Sequence, residues 1–522
     1  MARFKHYDYG QMKMLPVSFK EQILPGSFEY TLNQLIDHEI DLAVFEHRYQ
    51  NDETGAPAYD PAILLKIILY AYSRGVTSSR EIARLTRENV VFMALSADSA
   101  PHFTTIADFI ARLDAEIVAV FRDVLLVCDE AGLIGREMFA IDGVKLPSNA
   151  SKQWSGTRVD FAKKVAKMER AVRYLVRRHR DADARGEAGP VQAAREKQIE
   201  TLKRASRKVK AWLKENDDKP GAGGRVKKSN VTDNESAKMK TGKGVIQGYD
   251  GVTVTDARHQ VVVHAQAYGE AQEHALLVPM LEGVRENFRA LGAEDVLDRV
   301  ALAADSGFHS EANVKYLFET GVDGYLADTL FRKRDPRFAT AGRHVPTRAG
   351  APWARPPGQG LFRPRDFIYD PASHTCICPA GEFLYQNGSH CRIRGREAVK
   401  FTGAKRVCGP CHLRAQCLRH PNRTPVRQVV FFTGRTTDKP ETYTAKMKRK
   451  IDSDVGRYQY GRRLAVAEPV FAHICSAQGL RRFSHRGQRK VNTQWLLYCL
   501  THNIGKVHRY GNLEQRRRRT LQ

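Results

Sequence analysis

The sequence lacks a hydrophobic run long enough to cross a membrane. Its longest apolar stretch, residues 62–72, is interrupted by Lys66 and falls short of the ~20 residues that a transmembrane helix needs. Residues 1–15 mix charged and apolar side chains without a hydrophobic segment after them, so we expect no secretory signal. These absences predict a protein of the reducing cytoplasm, where disulfides are rare.

Acidic residues are scarce relative to basic ones. The 522 residues contain 58 Asp and Glu against 84 Lys and Arg, a formal net charge of +26. This excess favours a polyanion as partner, because each contact to a phosphate releases condensed counterions; charge spread evenly for solubility is the alternative. With 42% apolar and 27% charged residues, a wholly disordered or collagen-like chain is excluded, and the length suggests two to four domains at ~150 residues each.

Three of the nine cysteines lie singly in apolar segments, and we expect them to be core thiols: Cys128, Cys475 and Cys499. The other six crowd into residues 376–417. In a reducing compartment, such clustering indicates a metal site rather than disulfides.

The spacing Cys408-x2-Cys411 is typical of half of a tetrahedral zinc site. We expect Cys378 and Cys417 to supply the other two ligands of a structural Zn²⁺. Three further residues are in reserve as ligands: Cys376, Cys391 and His412. The alternative is a small β-rich insert that merely contains reduced cysteines.

Periodicity divides the chain into segments of different character. Residues 1–130 predict short helices joined by tight turns, which resemble a helix-turn-helix bundle for DNA but also many bundles that bind none. Residues 136–150, 245–330 and 440–507 predict one mixed α/β domain. The remaining segments are a basic helical insert (151–244), a basic Pro/Gly-rich and cysteine-rich insert (331–425) and a basic tail (508–522).

Two aspartates stand where predicted strands end. Asp142 and Asp305 each follow an apolar run, at the position where a sheet delivers side chains to a crevice; a single aspartate there is more often a turn former. Glu468 lies before Pro469 in a basic and apolar late segment, where it is either an inward acid or a helix-dipole partner. Three carboxylates from distant segments are what Mg²⁺ requires, and a pair of ions suits phosphoryl transfer.

Five motifs in order carry a resemblance to a known family. They are AIDGVKLPSNASK (140–152), GYDGVTVTD (248–256), ALAADSGFHSEANV (301–314), YGRRLAVAEPVF (460–471) and RRFSHRGQRKVNTQWLLYCLTHNIGK (481–506). The sequence resembles the DDE transposases of bacterial insertion sequences, of the type with a Tyr-x2-Arg…Glu signature around the third acid. The likeness covers nearly the whole chain.

The resemblance implies an RNase H-like core in which Asp142, Asp305 and Glu468 hold Mg²⁺ or Mn²⁺, as two ions. It implies DNA contacts near the cleaved phosphate, for which the candidates are Tyr460, Arg462, Arg463 and Lys490.

Two departures from the family pattern concern this signature. Many relatives carry Lys seven residues after the Glu, where this chain has Cys475, so the Lys role is unassigned among Lys490, Arg481 and Arg482. The interval from Arg463 to Glu468 is also one residue longer than the commonest form.

The function implied is cleavage of the element's ends and strand transfer into target DNA by a homodimer or higher assembly, acting at the terminal inverted repeats in the bacterial cytoplasm at the nucleoid. The alternatives are a catalytically inactive or domesticated DNA-binding relative and an RNase H-like nuclease without strand transfer.

The basic helices of residues 163–214 are either a solvated hairpin or a DNA-backbone surface. Residues 516–519 (RRRR) predict a nonspecific basic tail. Trp353 is a candidate for base stacking, whereas the spacing around Trp495 indicates core.

Overall fold

The computed structural model of the chain describes residues 17–49, 57–186, 189–221, 226–242, 244–293, 295–338, 340, 361–388, 391–393, 396–433 and 441–512. Trp353 and the arginine tail at 516–519 lie outside these residues. The chain divides into two compact units, Met1–Arg332 with Tyr443–Gln522, and Lys333–Thr442. No helix in the described ranges has the length and apolar character that a membrane span requires.

The helices of the first unit are α1 (Phe19–Gln22), α2 (Phe28–His38), α3 (Pro61–Ser73), α4 (Ser79–Glu88), α5 (Val90–Leu95), α6 (Phe103–Arg112), α7 (Asp114–Glu130), α8 (Arg158–Asp183), α9 (Pro190–Glu215), α10 (Leu277–Ala290) and α11 (Glu311–Glu319). Helix α12 (Phe331–Arg334) spans the boundary between the units, and α13 (Lys405–Cys408) and α14 (Arg414–Cys417) belong to the second unit. Three late helices return to the first: α15 (Tyr443–Asp452), α16 (Asp454–Ala472) and α17 (Gln488–Tyr510). A π-helical turn, His473–Ala477, extends α16.

The strands of the first unit are β1 (Met138–Pro147), β2 (Ser155–Gly156), β3 (Lys219–Pro220), β4 (Val226–Lys227), β5 (Ser229–Asn230), β6 (Ala237–Thr241), β7 (Gly244–Asp256), β8 (Val262–Tyr268), β9 (Ala301–Ala304) and β10 (Gly324–Leu326). Those of the second unit are β11 (Ile368–Asp370), β12 (Thr375–Ile377), β13 (Phe383–Gln386), β14 (Cys391–Ile393), β15 (Arg396–Thr402) and β16 (Gln428–Phe432).

The N-terminal helices share a hydrophobic core with the central sheet. Helix α3 is apolar on nearly all sides, as expected of a buried helix, and it begins where the Asp60 side chain accepts from the Ala62 backbone N–H at 2.8 Å. Its Tyr72 ring stacks on Tyr498 of α17, with centroids 4.2 Å apart. Trp495 of α17 is fully buried in the same core, as its helical spacing predicts.

The central sheet has the order β10-β9-β1-β7-β6, with β8 paired to β7. Strands β10, β9 and β1 are parallel, and β7 is antiparallel to β1. Helices flank this mixed sheet, which confirms the predicted α/β class and is consistent with an RNase H-like fold.

The two faces of the sheet carry side chains of different size. Phe139 and Ile141 of β1 point into the large core, whereas Ala140 packs against Val466 and Ala467 of α16. Because successive side chains of a strand alternate between faces, Asp142 follows Ala140 on the α16 side. The small alanine allows α16 to lie close to the end of β1.

The basic insert after β1 forms the expected pair of helices, α8 and α9. Thr157 and Asp160 form a capping box that starts α8. Phe161 and Val165 of α8 bury against Val209 and Trp212 of α9 in a small core of their own.

The second unit is built on a sheet of order β11-β12-β13-β15-β14, with β16 paired to β15. Its core contains Phe367, Cys376, Phe401 and Val429. All nine cysteines of the chain are free thiols.

Candidate active site

The two predicted aspartates directly follow the last residue pair of the ladder between two adjacent parallel strands, at matching positions in the sheet. Ile141 of β1 is paired in register with Ala304 of β9, and Asp142 and Asp305 are the residues that follow them. Parallel strands end at the same edge of a sheet, so the two carboxylates are delivered side by side. The side chain of Asp142 is 19% exposed and that of Asp305 is 39% exposed, so the pair opens toward solvent on the Asp305 side.

Arg463 of α16 bridges the two carboxylates. Its Nη1 lies 2.5 Å from Asp142 Oδ2, and its Nη2 lies 3.4 Å from Asp305 Oδ1. The residue is only 5% exposed. A planar guanidinium with fixed donors suits this kind of two-carboxylate contact.

Packing on one face of α16 fixes the position of Arg463. Tyr460, one turn earlier, packs on the Phe331 ring with centroids 5.0 Å apart, and Arg463 lies over the Tyr460 ring at 5.7 Å. Ala467, one turn later, packs on Ala140. Residues three or four apart share a helix face, so this face points at the strand ends.

Burial and charge act in opposite directions on this centre. Burial raises the pKa of Asp142, and the positive charge of Arg463 offsets only part of this effect. Burial lowers the pKa of Arg463, but the charges of Asp142 and Asp305 outweigh it, so the pKa of the guanidinium is raised overall. The aspartate pair is therefore a site that demands a cation.

The structure does not bring Glu468 to the two aspartates. Glu468 is exposed and follows Arg463 by five residues, which is about 7.5 Å along the helix axis and about 140° around it. In the described residues, no group of three or more His, Cys, Asp or Glu side chains is arranged to hold a metal ion. Glu468 as the third acid remains a prediction from the resemblance.

The other predicted DNA contacts differ in accessibility. Tyr460 is half-buried, and burial raises its pKa. Arg462 is half-buried and lies over the Tyr458 ring at 5.8 Å, whereas Lys490 is exposed in the first turn of α17. Cys475 is half-buried in the π-helical turn, and burial raises its pKa.

A second acidic cluster, which sequence reasoning missed, lies behind the aspartate pair. Asp250 of β7 is fully buried, and neither of its carboxylate oxygens has a hydrogen-bond partner among the residues that the structure describes. Lys145 of β1 pairs with Glu273 and lies 4.0 Å from Asp250 Oδ2. Burial, together with the charge of Glu273, raises the pKa of Asp250 to about 8. The sequence signal that could have revealed this cluster is Asp250 itself, a charged residue inside the otherwise buried run of β7.

Glycines make room for this cluster. A Cβ on Gly143 would lie 2.7 Å from Asp250 Oδ1, and a Cβ on Gly307 would lie 1.9 Å from Glu273 Oε2. Each glycine follows a site aspartate by one or two residues. The buried cluster therefore contacts the backbone of both aspartate-bearing turns.

The four cysteines chosen as zinc ligands line one cavity in the second unit. The cavity, of about 450 Å³, is bordered by Cys378, Cys408, Cys411, Cys417 and the reserve residue His412. Burial raises the pKa of Cys417, and Cys408, Cys378 and Cys411 are close enough to raise it further.

The two remaining cysteines of the cluster lie elsewhere in the second unit. Cys376 is buried in the sheet core, and Cys391 is on β14. Neither lines the cavity.

Comparison with protein families identifies two domains in the chain. The family described as "Transposase DDE domain" matches residues 377–508, a range that includes Arg463, Glu468 and the four cysteines that border the cavity. The family described as "Transposase domain (DUF772)" matches residues 17–112, which comprise α1 to α6. A comparison with curated proteins finds no significant match.

Proposed function

We propose that Asp142 and Asp305 form the core of the catalytic centre of this chain, a DDE transposase of the insertion-sequence type that cleaves and transposes DNA. The observation that carries this proposal is the pair of carboxylates at adjacent strand ends, bridged by Arg463. DDE transposases depend in general on divalent metal ions.

The aspartate pair fits a divalent cation. A positive group, the Arg463 guanidinium, already contacts both carboxylates, and carboxylate oxygens are the ligands that Mg²⁺ prefers. We assign Asp142 and Asp305 as ligands of Mg²⁺ or Mn²⁺, with two ions and with Glu468 as the third acid by resemblance. When bound, such ions activate the attacking oxygen and neutralise charge on the phosphate.

When DNA binds, Arg463 can pair either with the two aspartates or with a DNA phosphate. A guanidinium forms bidentate contacts with phosphate as readily as with carboxylate. With cations held by Asp142 and Asp305, Arg463 would be attracted less strongly to the two carboxylates and could orient the scissile phosphate. The ring of Tyr460 packs against the Arg463 guanidinium. Arg462 and Lys490 add positive charge for contacts to the DNA strand.

The reaction proposed is two successive phosphoryl transfers. Water first forms a bond to phosphorus at the element's end, and the bond to the 3′ oxygen breaks, which leaves a 3′-OH. That 3′ oxygen then bonds to a target phosphorus and displaces the target's own 3′ oxygen. Positioning and charge neutralisation supply most of the rate in such transfers.

The site acts on double-stranded DNA at the terminal inverted repeats and at the target. Both ends of an element must be joined to one target, so we propose a homodimer or larger assembly on DNA, at the nucleoid of the bacterial cytoplasm. Incubation of the protein with an end duplex, a target plasmid and Mg²⁺ tests the function. Nicked and joined products support transposition, nicking alone indicates a nuclease, and binding alone indicates an inactive relative.

We also propose that Cys378, Cys408, Cys411 and Cys417 hold a structural Zn²⁺. Thiolates prefer Zn²⁺ to Mg²⁺, and all four border a single cavity. A bound Zn²⁺ would take the four sulfurs as thiolate ligands, with release of their protons. The role of the zinc ion would be to hold α13 and α14 to the sheet of the second unit.

A further inference from the structure

The helical hairpin of α8 and α9 concentrates positive charge. The two helices carry 17 Lys and Arg against seven Asp and Glu, a net charge of +10 in 52 residues. Their buried side chains are few and pack on each other, so the charged residues are largely exposed. The hairpin belongs to the insert that follows β1, the strand that carries Asp142.

Four of these cations converge on one notch between the helices. Arg173 of α8 and Lys203, Arg207 and Lys210 of α9 border a cavity of about 430 Å³. Glu169, the single acid in its lining, pairs with Lys210. We call these four residues the basic notch.

The positions in α9 follow the helical repeat. Lys203, Arg207 and Lys210 are spaced at i, i+4 and i+7, which places them on one face. Arg173, Lys203 and Arg207 are exposed. The notch therefore presents several donors in one direction, an arrangement that suits phosphate oxygens.

A second row of cations runs along α8. Lys163, Lys167, Arg170 and Arg177 are all exposed and follow the same helical repeat. With 26 residues, α8 is about 39 Å long, close to the roughly 34–36 Å of one duplex turn. A surface of this length suits a regular, extended polyanion better than an isolated anion.

We propose that the basic notch and the row along α8 bind the phosphate backbone of duplex DNA without regard to its sequence. The inference deepens the proposed function, on which it depends for the identity of the polyanion, and it assigns DNA binding to a segment outside both matched families. Lysine and arginine contacts to phosphates hold and orient a duplex but do not read bases.

The test measures duplex binding as a function of salt. The full chain carrying Asp142→Asn, without added Mg²⁺, is titrated against a fluorescent 30-base-pair duplex of arbitrary sequence. The notch variant adds Arg173→Gln, Lys203→Gln and Arg207→Gln. The control adds Arg289→Gln, Arg299→Gln and Lys315→Gln, which removes the same charge from exposed positions elsewhere in the first unit. Circular dichroism and the melting midpoint confirm that each variant is folded.

The expected result is a change in the salt dependence. Each lost phosphate contact lowers the slope of log Kd against log salt by about 1, so the notch variant should lose about 3 and bind at least tenfold more weakly at low salt, and the control should match the parent. Equal slopes for the notch variant and the control would overturn the proposal. Saturable binding of inorganic phosphate at the notch, with an unchanged duplex slope, would also overturn it. Because no cleavage is measured, an inactive catalytic centre would not affect either outcome.

Discussion

Arg463 of α16 donates a hydrogen bond from Nη1 to Oδ2 of Asp142 at the end of β1, over 2.5 Å and across 321 residues of sequence. The same guanidinium contacts Asp305 at 3.4 Å. The late helix and the central sheet therefore share one polar centre, and the Tyr-x2-Arg pattern supplies the residue that neutralises the aspartates.

Replacing Arg463 should destabilise the fold and reveal the demand for a cation. We expect Arg463→Gln to lower the free energy of unfolding by up to about 3 kcal/mol, because it leaves partly buried carboxylate charge without its partner. The control, Arg462→Gln, changes a half-buried neighbour and should cost about 1 kcal/mol or less. Urea denaturation followed by circular dichroism measures both.

Added Mg²⁺ should stabilise the Arg463→Gln protein more than the parent, since the aspartates of the variant are free to take the ion. Equal costs for the two arginine variants, together with no difference in the response to Mg²⁺, would contradict this account of the centre.

Glu468 should matter for chemistry and not for stability. It is exposed, so Glu468→Gln should leave the melting midpoint unchanged within error, yet reduce Mg²⁺-dependent nicking at least a hundredfold if it completes the metal site. Asp454→Asn, at an exposed position in the first turn of the same helix, is the matched control and should nick normally. Normal nicking by Glu468→Gln would remove this residue from the catalytic set.

The buried Asp250 should make stability depend on pH. Its pKa is raised to about 8, above the value near 3.9 of an unfolded chain, so its folded state binds a proton that the unfolded state releases. The contribution of Asp250 to the free energy of unfolding should therefore be greatest below pH 4. It should fall as the pH rises from 4 to 8, by up to about 1.4 kcal/mol per pH unit. Asp250→Asn should flatten that decline, and Asp298→Asn, at an exposed position, should not. Identical pH profiles of unfolding for the parent and Asp250→Asn would contradict the assignment.

The zinc proposal predicts one metal ion per chain. Elemental analysis should find about one Zn²⁺, and replacement by Co²⁺ should give the visible absorption of a tetrahedral thiolate site. Cys408→Ser should lose both signals, whereas Cys391→Ser, a change outside the cavity, should keep them. A Cys408→Ser protein with full zinc content would rule out this ligand set.

The sequence predicts the helices, the sheet and the two strand-end aspartates because each follows from a local pattern. Apolar runs that end in Asp142 and Asp305 identify strands and their edge, and the spacing around Trp495 identifies a buried helix face. The register that places Ile141 beside Ala304 is a long-range property, and no local pattern contains it.

The remaining features depend on how distant segments pack. Arg463 was expected at DNA and is found on the aspartates, because only the fold brings α16 over Ala140. The cluster of Asp250, Glu273 and Lys145 was missed because it joins three segments whose residues look unremarkable singly. The arrangement of the four cysteines around one cavity follows the Cys-x2-Cys spacing for two of them, and for Cys378 and Cys417 it depends on the sheet of the second unit.

The most direct test of the central claim is the rate of Mg²⁺-dependent nicking of an end duplex by Asp142→Asn and Asp305→Asn. Both variants should be folded, should bind DNA as the parent does, and should nick at least a thousandfold more slowly. Asp323→Asn, which removes an exposed acid paired with Lys450, should nick at the parental rate. Nicking at the parental rate by either Asp142→Asn or Asp305→Asn would contradict the assignment of this pair as the catalytic centre.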